Sequence, residues 1–371
     1  MKKVLLLAVC TGLGMAATIS CAKKQEGAAK APGYSGMTVR LLTDATGIDD
    51  KSFNAASWRG ILEFYGDTWN STKLRGQAYD VVTAQTQDMY VPNVRQATDE
   101  GYDLIVASGF TFVNAIREVA LEYPNQNYMI IDINEVNLPN VLEVIFAEHE
   151  GSYLVGAIAA HKALADGIAN PKFGFIGGVP GVVITKFEVG FVQGVLSVIP
   201  DAEIVDYYVN NWGDPASAKT QAKTWYDSGV YAIYSAAGGS GNGTIAQVKE
   251  YRLQGKNVWA IGVDSDQHDE GLYNATESAV LTSMIKFVET GMLYGLNAIK
   301  NSSFRGEVIT LDLRANGVGY TTRNSALTQD IKDKVEETKR RIIAGEVQVA
   351  ASHEQAKLLP GFPQNLSAKD N

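Results

Sequence analysis

From residue 37 onward, short apolar runs alternate with longer amphipathic ones, and this alternation constrains the fold more than any other feature of the sequence. The short runs, read as strands, span 38–42, 79–84, 104–108, 128–133, 144–146, 173–176, 204–209, 232–236, 258–263 and 280–284. Helical periodicity fills 52–65, 151–164, 186–198, 215–227, 244–253 and 289–299, with a last, strongly charged helix over 327–343. In the first helix, Asp50 or Ser52 suits the cap, and Trp58, Ile61, Leu62 and Tyr65 form the face to be buried. Strands that alternate with helices predict an α/β fold with mostly parallel sheets and right-handed crossovers. The length suits about two domains, yet no Pro- or Ser-rich linker separates two halves. The pattern therefore predicts two doubly wound parallel-sheet lobes that exchange strands through short hinge crossovers.

The beginning of the chain carries a different signal. Lys2 and Lys3 precede an apolar run, 4–19, that ends at Ser20-Cys21, the layout of an export signal. Thr18-Ile19-Ser20-Cys21 resembles a bacterial lipobox, in which the cysteine is acylated after cleavage, although Thr18 stands where Leu is usual. The expectation is a signal peptide over 1–20, lipidation at Cys21 and a flexible tether over 21–36. This would place the body outside the cytoplasm, tied to a membrane surface. Cys10 and Cys21 are the two cysteines. The body after the tether thus has no disulfide, catalytic thiol or cysteine-based metal site. Beyond the first twenty residues no run approaches the roughly 18 apolar residues of a membrane span. A net charge of -9 with no basic stripe excludes nucleic acid as a partner. His149, His161, His268 and His353 are scattered without metal-ligand spacing, and no metal or cofactor is expected.

In open α/β sheets ligands bind beyond the carboxyl ends of the strands. Those ends carry Thr43-Asp44, Gly47–Asn54, Ser108-Gly109-Phe110, Asp132, Gly177-Gly178, Asn211–Asp214, Gly238–Gly243, Asp264–Asp266 and Lys286. Aromatic rings beside polar groups sandwich flat heterocycles. Carboxylates accept hydrogen bonds from ring N–H groups and from paired hydroxyls. Several acids in one crevice repel phosphate. The inventory fits a neutral molecule with a heterocycle and a sugar, a nucleoside.

Long stretches of these segments resemble the basic membrane protein family of bacterial purine-nucleoside-binding lipoproteins. They are Leu42-Thr43-Asp44 with 47–54, then 99–105, 235–243 and 261–267, and the resemblance runs from about residue 39 to 320. It implies a type I periplasmic-binding-protein fold, a non-enzymatic receptor and an ABC permease with its ATPase as partners. The implied ligand is a purine nucleoside such as inosine, guanosine or adenosine. By motif, Phe53 and Trp212 match the two stacking aromatics, the second usually Phe, and Asn54 closes the first segment. Asp44 and Asp132 match the base-binding acids and Asp264 the ribose acid, while Gly238 and Lys286 line the sugar side. The expected division is 37–146 with 266–313 as the first lobe, 147–265 with 314–355 as the second, and 356–371 as a tail.

Simpler readings compete at each position. Phe53 and Trp212 are also ordinary core aromatics, Asp44 and Asp264 suit helix caps, and Lys286 suits a counter-ion for neighbouring acids. Asp132 at the end of an apolar strand is harder to explain structurally, because a buried acid needs a partner. The 238–243 run resembles a phosphate loop but lacks the Gly-Lys-Ser/Thr ending. Two other functions remain open. One is a calcium-dependent nucleoside hydrolase, which the acidic turn at 44–50 resembles with one carboxylate and a proline missing. The other is a sugar or autoinducer sensor on the same fold.

Overall fold

The computed structural model describes residues 35–366. The expected signal peptide, Cys21, the expected tether up to residue 34 and the final five residues lie outside that range. The chain begins β1 (Val39–Thr43), α1 (Phe53–Tyr65), β2 (Tyr79–Thr83), α2 (Tyr90–Asp99), β3 (Leu104–Ala107), α3 (Val113–Glu122), β4 (Tyr128–Ile131) and β5 (Val141–Phe146). It continues through α4 (Glu148–Ala165), β6 (Lys172–Gly177), α5 (Val182–Val198), β7 (Glu203–Tyr208), α6 (Pro215–Asp227), β8 (Val230–Ala236), α7 (Asn242–Leu253) and β9 (Trp259–Asp264). Last come β10 (Val280–Lys286), α8 (Val288–Lys300), β11 (Glu307–Leu311), β12 (Val318–Tyr320), α9 (Gln329–Ile343) and α10 (His353–Ala356).

The strands form two six-stranded sheets, in the orders β11-β5-β4-β3-β1-β2 and β12-β10-β9-β8-β6-β7. Every pairing is parallel except β10 with β12. Central strands such as β1, β3, β4, β8 and β9 are buried at every position, as sheets covered by helices on both faces require. This is the two-lobed, doubly wound α/β architecture that the alternating pattern predicts.

The chain crosses between lobes three times, from β5 into α4, from β10 into α8 and from β11 into β12. The crossings are stitched together: Ala147 N–H donates to Leu311 O at 3.0 Å, and Phe287 N–H to Gly317 O at 2.9 Å. The second crossing corrects one expected boundary. Residues 266–286, assigned from sequence to the first lobe, carry β10, which pairs with β9 and β12 of the second sheet. The return to the first lobe comes at 286–288, and α8 then packs beside α1. Residues 356–366 also differ from a free tail, because Ala356, Phe362 and Leu366 are buried in the core.

Two strands and three helices were absent from the sequence reading, the third helix being the four-residue α10. β11 alternates half-buried and exposed residues as a sheet edge does, and so lacks an apolar run. β12 has only three residues. α2 and α3 each start directly from a 3₁₀ turn, with no side-chain cap to mark the beginning. Helices α4 and α5 pack closely behind the second sheet. There Gly194 lets the backbones approach, since a Cβ at that position would lie 2.0 Å from Tyr153 O.

Candidate functional site

The carboxyl ends of the two sheets face each other across one cleft of about 560 Å³. All eight residues selected from sequence line it: Asp44, Phe53, Asn54 and Asp132 from the first lobe, Trp212, Gly238, Asp264 and Lys286 from the second. Their positions follow from local structure.

The turn after β1 is built from carboxylates that accept backbone hydrogens. Asp44 Oδ1 accepts from Thr46 N–H at 3.0 Å, Thr46 O–H at 2.5 Å and Asn54 Nδ2 at 3.0 Å. Among the described residues none donates to Asp44 Oδ2. Asp50 caps α1, accepting from the N–H groups of Ser52, Asn54 and Ala55 at 2.8–3.0 Å. Burial, opposed by those backbone donors, pushes the Asp50 carboxyl up to about 6. Ser52, the other capping candidate, instead donates from Oγ to Asp264 Oδ2 across the cleft at 2.7 Å. Asp44 is thus a turn acceptor rather than a helix cap, and Asp264 is no cap either.

Asp132 and Asp264 end their strands with φ of 75° and 62°, a left-handed backbone that few non-glycine residues adopt. Both are buried. Lys286, the last residue of β10, is 1% exposed and pairs with Asp132 at 2.5 Å and Glu148 at 2.9 Å. Glu148 in turn holds Lys186 at 3.2 Å. The Lys286 ammonium lies 4.9 Å from the Phe53 ring centre, 5.0 Å from Phe146 and 5.4 Å from Phe187, within cation–π range of each. Its neutralising role is therefore real, and it is combined with a place on the cleft wall.

Electrostatics at the hinge end follow from burial and from two cations, Lys286 and Lys186. Burial pushes the Asp264 carboxyl up to about 6 against the pull of Lys286 and the Ser52 hydrogen bond. Burial also raises Asp132, with Glu148 adding to the effect and Lys286 opposing it. For Glu148, burial is outweighed by Lys186 and Lys286, which hold it below the ordinary carboxylate range. Two buried acceptors on the cleft, Asn54 Oδ1 and Asp264 Oδ1, have no hydrogen-bond partner among the described residues. Unsatisfied buried acceptors are uncommon in folded proteins and mark a place where a donor from a ligand fits.

The mouth end is aromatic. Trp212 lies over the Gly178 backbone, where a Cβ would fall 2.2 Å from its ring. Phe110, from the first lobe, meets Trp212 edge-on with centroids 6.1 Å apart. Phe110, Phe187, Asp50 and Glu148 are the residues the sequence reading left unselected. The sequence does place the Ser108-Gly109-Phe110 segment at the end of the third strand. Glu148 lies two residues beyond β5, so the same rule applied to that strand end finds it.

Residues 37–353 match the family described as ABC transporter substrate-binding protein PnrA-like. The "ABC transporter nucleoside-binding protein BmpA" of Lactococcus lactis is 34% identical over 317 residues, covering 83% of this chain and 88% of that protein. The "CD4+ T-cell-stimulating antigen" of Listeria monocytogenes is 34% identical over 319 residues, covering 84% and 87%. Among solved structures, a solute-binding protein of an ABC transporter system from Aeropyrum pernix superposes with a TM-score of 0.74. It is 25% identical, with 87% of this chain and 96% of that one covered. Sequence, fold and cleft thus agree, and the chain belongs to the PnrA-like family of ABC transporter substrate-binding proteins.

Proposed function

We propose that this protein is a lipid-anchored receptor that captures purine nucleosides in the interlobe cleft and hands them to an ABC permease and its ATPase. The observation that carries this reading is the polarity of the cleft. Trp212, Phe110 and Asp44 stand at one end, and a buried cation beside Phe53 and Phe187, with an unsatisfied carboxylate oxygen, stands at the other. A nucleoside has the matching polarity: a flat heterocycle with N–H donors, then a sugar with paired hydroxyls. Among the described residues, five carboxylates at or beside the cleft, Asp44, Asp50, Asp132, Glu148 and Asp264, outnumber the two lysines paired there, Lys286 and Lys186, so a phosphate group is disfavoured. The nucleoside-binding relative in Lactococcus lactis points the same way.

The hydrolase alternative is less well supported. In the acidic turn, Asp44 Oδ1 and both oxygens of Asp50 already accept N–H or O–H hydrogens from the chain. A calcium ion needs six or more oxygen ligands free to coordinate it. The anchor is proposed at Cys21, with residues 21–36 as tether.

Isothermal titration of residues 36–371, unfolded and refolded to strip co-purified ligand, tests the reading against inosine, guanosine, adenosine, cytidine and ribose. The expected outcome is one-to-one binding of purine nucleosides with ribose silent. Binding of ribose alone would favour the sugar sensor. Release of free base in the presence of calcium would favour the hydrolase.

A further inference from the structure

A second cavity of about 520 Å³ opens at the mouth of the cleft. It shares Asp44, Thr46 and Trp212 with the main cleft and none of the hinge residues Asp132, Asp264 or Lys286. Its other walls bring together Gln85, Thr86 and Gln87 of the first lobe with Asn210 and Asn211 of the second, all exposed. No described residue hydrogen-bonds the side-chain amides of Gln85 or Gln87. Asp44 is the one charged residue on this lining.

We infer that this cavity is a second subsite for purine nucleosides carrying a neutral, hydrogen-bonding substituent on the exocyclic amine of the base. The inference rests on the nucleoside reading above. The end of the ligand held by Asp44 and Trp212 looks into the amide-lined space, whereas the end held by Lys286 and Asp264 looks into the buried hinge. Asp44 stands at the threshold, and no described residue donates to its Oδ2. An exocyclic amine with one substituent keeps one N–H for that oxygen and directs its substituent outward. Free primary amides both donate and accept, so they suit hydroxyl or carbamoyl arms. A carboxylate arm would meet Asp44 with no cation on the lining to offset it.

The test compares four ligands by titration: adenosine or guanosine, whichever binds more tightly, and three derivatives of it. One carries a 2-hydroxyethyl arm on the exocyclic nitrogen, one a carboxymethyl arm at the same place, and one the hydroxyethyl arm on the 5′ oxygen. The base-linked hydroxyethyl compound is expected within about threefold of the parent, and the carboxymethyl and 5′ compounds at least about thirtyfold weaker. Gln87→Trp, an exposed substitution that narrows the cavity, is expected to weaken the base-linked hydroxyethyl compound about tenfold and the parent less than twofold. Loss of thirtyfold or more for the base-linked hydroxyethyl arm, with the parent still bound, overturns the subsite while leaving the nucleoside reading intact. Equal tolerance of the base and 5′ arms overturns it too, as does indifference of the base-linked compound to Gln87→Trp. If no parent nucleoside binds, the underlying reading fails and the subsite falls with it.

Discussion

Single residues in this cleft combine structural and recognition roles, and the two separate under mutation. Lys286 is the clearest example. Removing its charge leaves Asp132 and Glu148 buried without their shared partner, and breaking a buried pair from one side costs about 3–5 kcal/mol. Lys286→Met should therefore lower the melting temperature markedly, and Lys286→Met with Asp132→Asn should recover part of the loss. A double mutant no more stable than the single would show that the pair is energetically unimportant. Phe53→Ala is different, because Phe53 is half-buried at the start of α1. It should weaken nucleoside binding by more than ~1 kcal/mol, in the range of one stacked base, with little effect on melting. Asp264 sets a pH dependence. Its carboxyl is raised to about 6, so in the ligand-free protein it takes up a proton as pH falls through that value. Paired hydroxyls bind the ionised form, so affinity should be full above about 6 and fall roughly tenfold per pH unit below it. The stability sign is opposite: the cost of the buried charge is full above about 6 and is relieved progressively as pH falls toward the ordinary Asp value of 3.8. A flat affinity profile from pH 7 to 5 would remove Asp264 from the recognition scheme.

Among the elements, the strand ends were legible in the sequence because apolar runs and the polar residues that stop them are both local signals. Asp44, Asp132, Asp264 and Lys286 were found in this way, and all four lie on the cleft. What was not legible depends on partners distant in the chain. β11 looks polar because only one of its edges is paired, and the placement of β10 depends on its neighbours β9 and β12 rather than on its own residues. The partnership of Ser52 with Asp264 spans 212 positions, and no local pattern announces it. The seat of Trp212 on Gly178 is equally non-local and gives a prediction for the loop after β6. Gly178→Ala would place a Cβ within the ring and force the indole to move. Affinity should fall about tenfold or more at nearly unchanged stability. By contrast, Gly194→Ala drives α5 away from Tyr153 O and should lower the melting temperature by several degrees, from about 1–3 kcal/mol of overpacking, without altering base preference.

For the whole molecule, the lobes meet along a seam as well as through the hinge. Asn242 Nδ2 donates to Asp50 O at 3.1 Å, and Gln267 Nε2 to Lys51 O at 3.2 Å, so second-lobe side chains grip the turn that carries Phe53. Each bond is a modest contribution of about 1 kcal/mol, but both are made only when the lobes are together. Asn242→Ala with Gln267→Ala should shift the ligand-free protein toward a more open form. Small-angle scattering would then report a larger decrease in radius of gyration on nucleoside addition than in the unmodified protein. An identical decrease would assign closure to the ligand alone. The threefold crossing between lobes has a consequence of another kind. Neither lobe is a contiguous stretch of chain, since the first needs residues up to β5 and again from α8 to β11. Recombination between related genes cannot exchange one lobe by a single breakpoint, because a clean swap needs one at each of the three crossings. The two walls of the cleft are therefore inherited together, and a change of ligand has to arise by substitution within the cleft rather than by shuffling its halves.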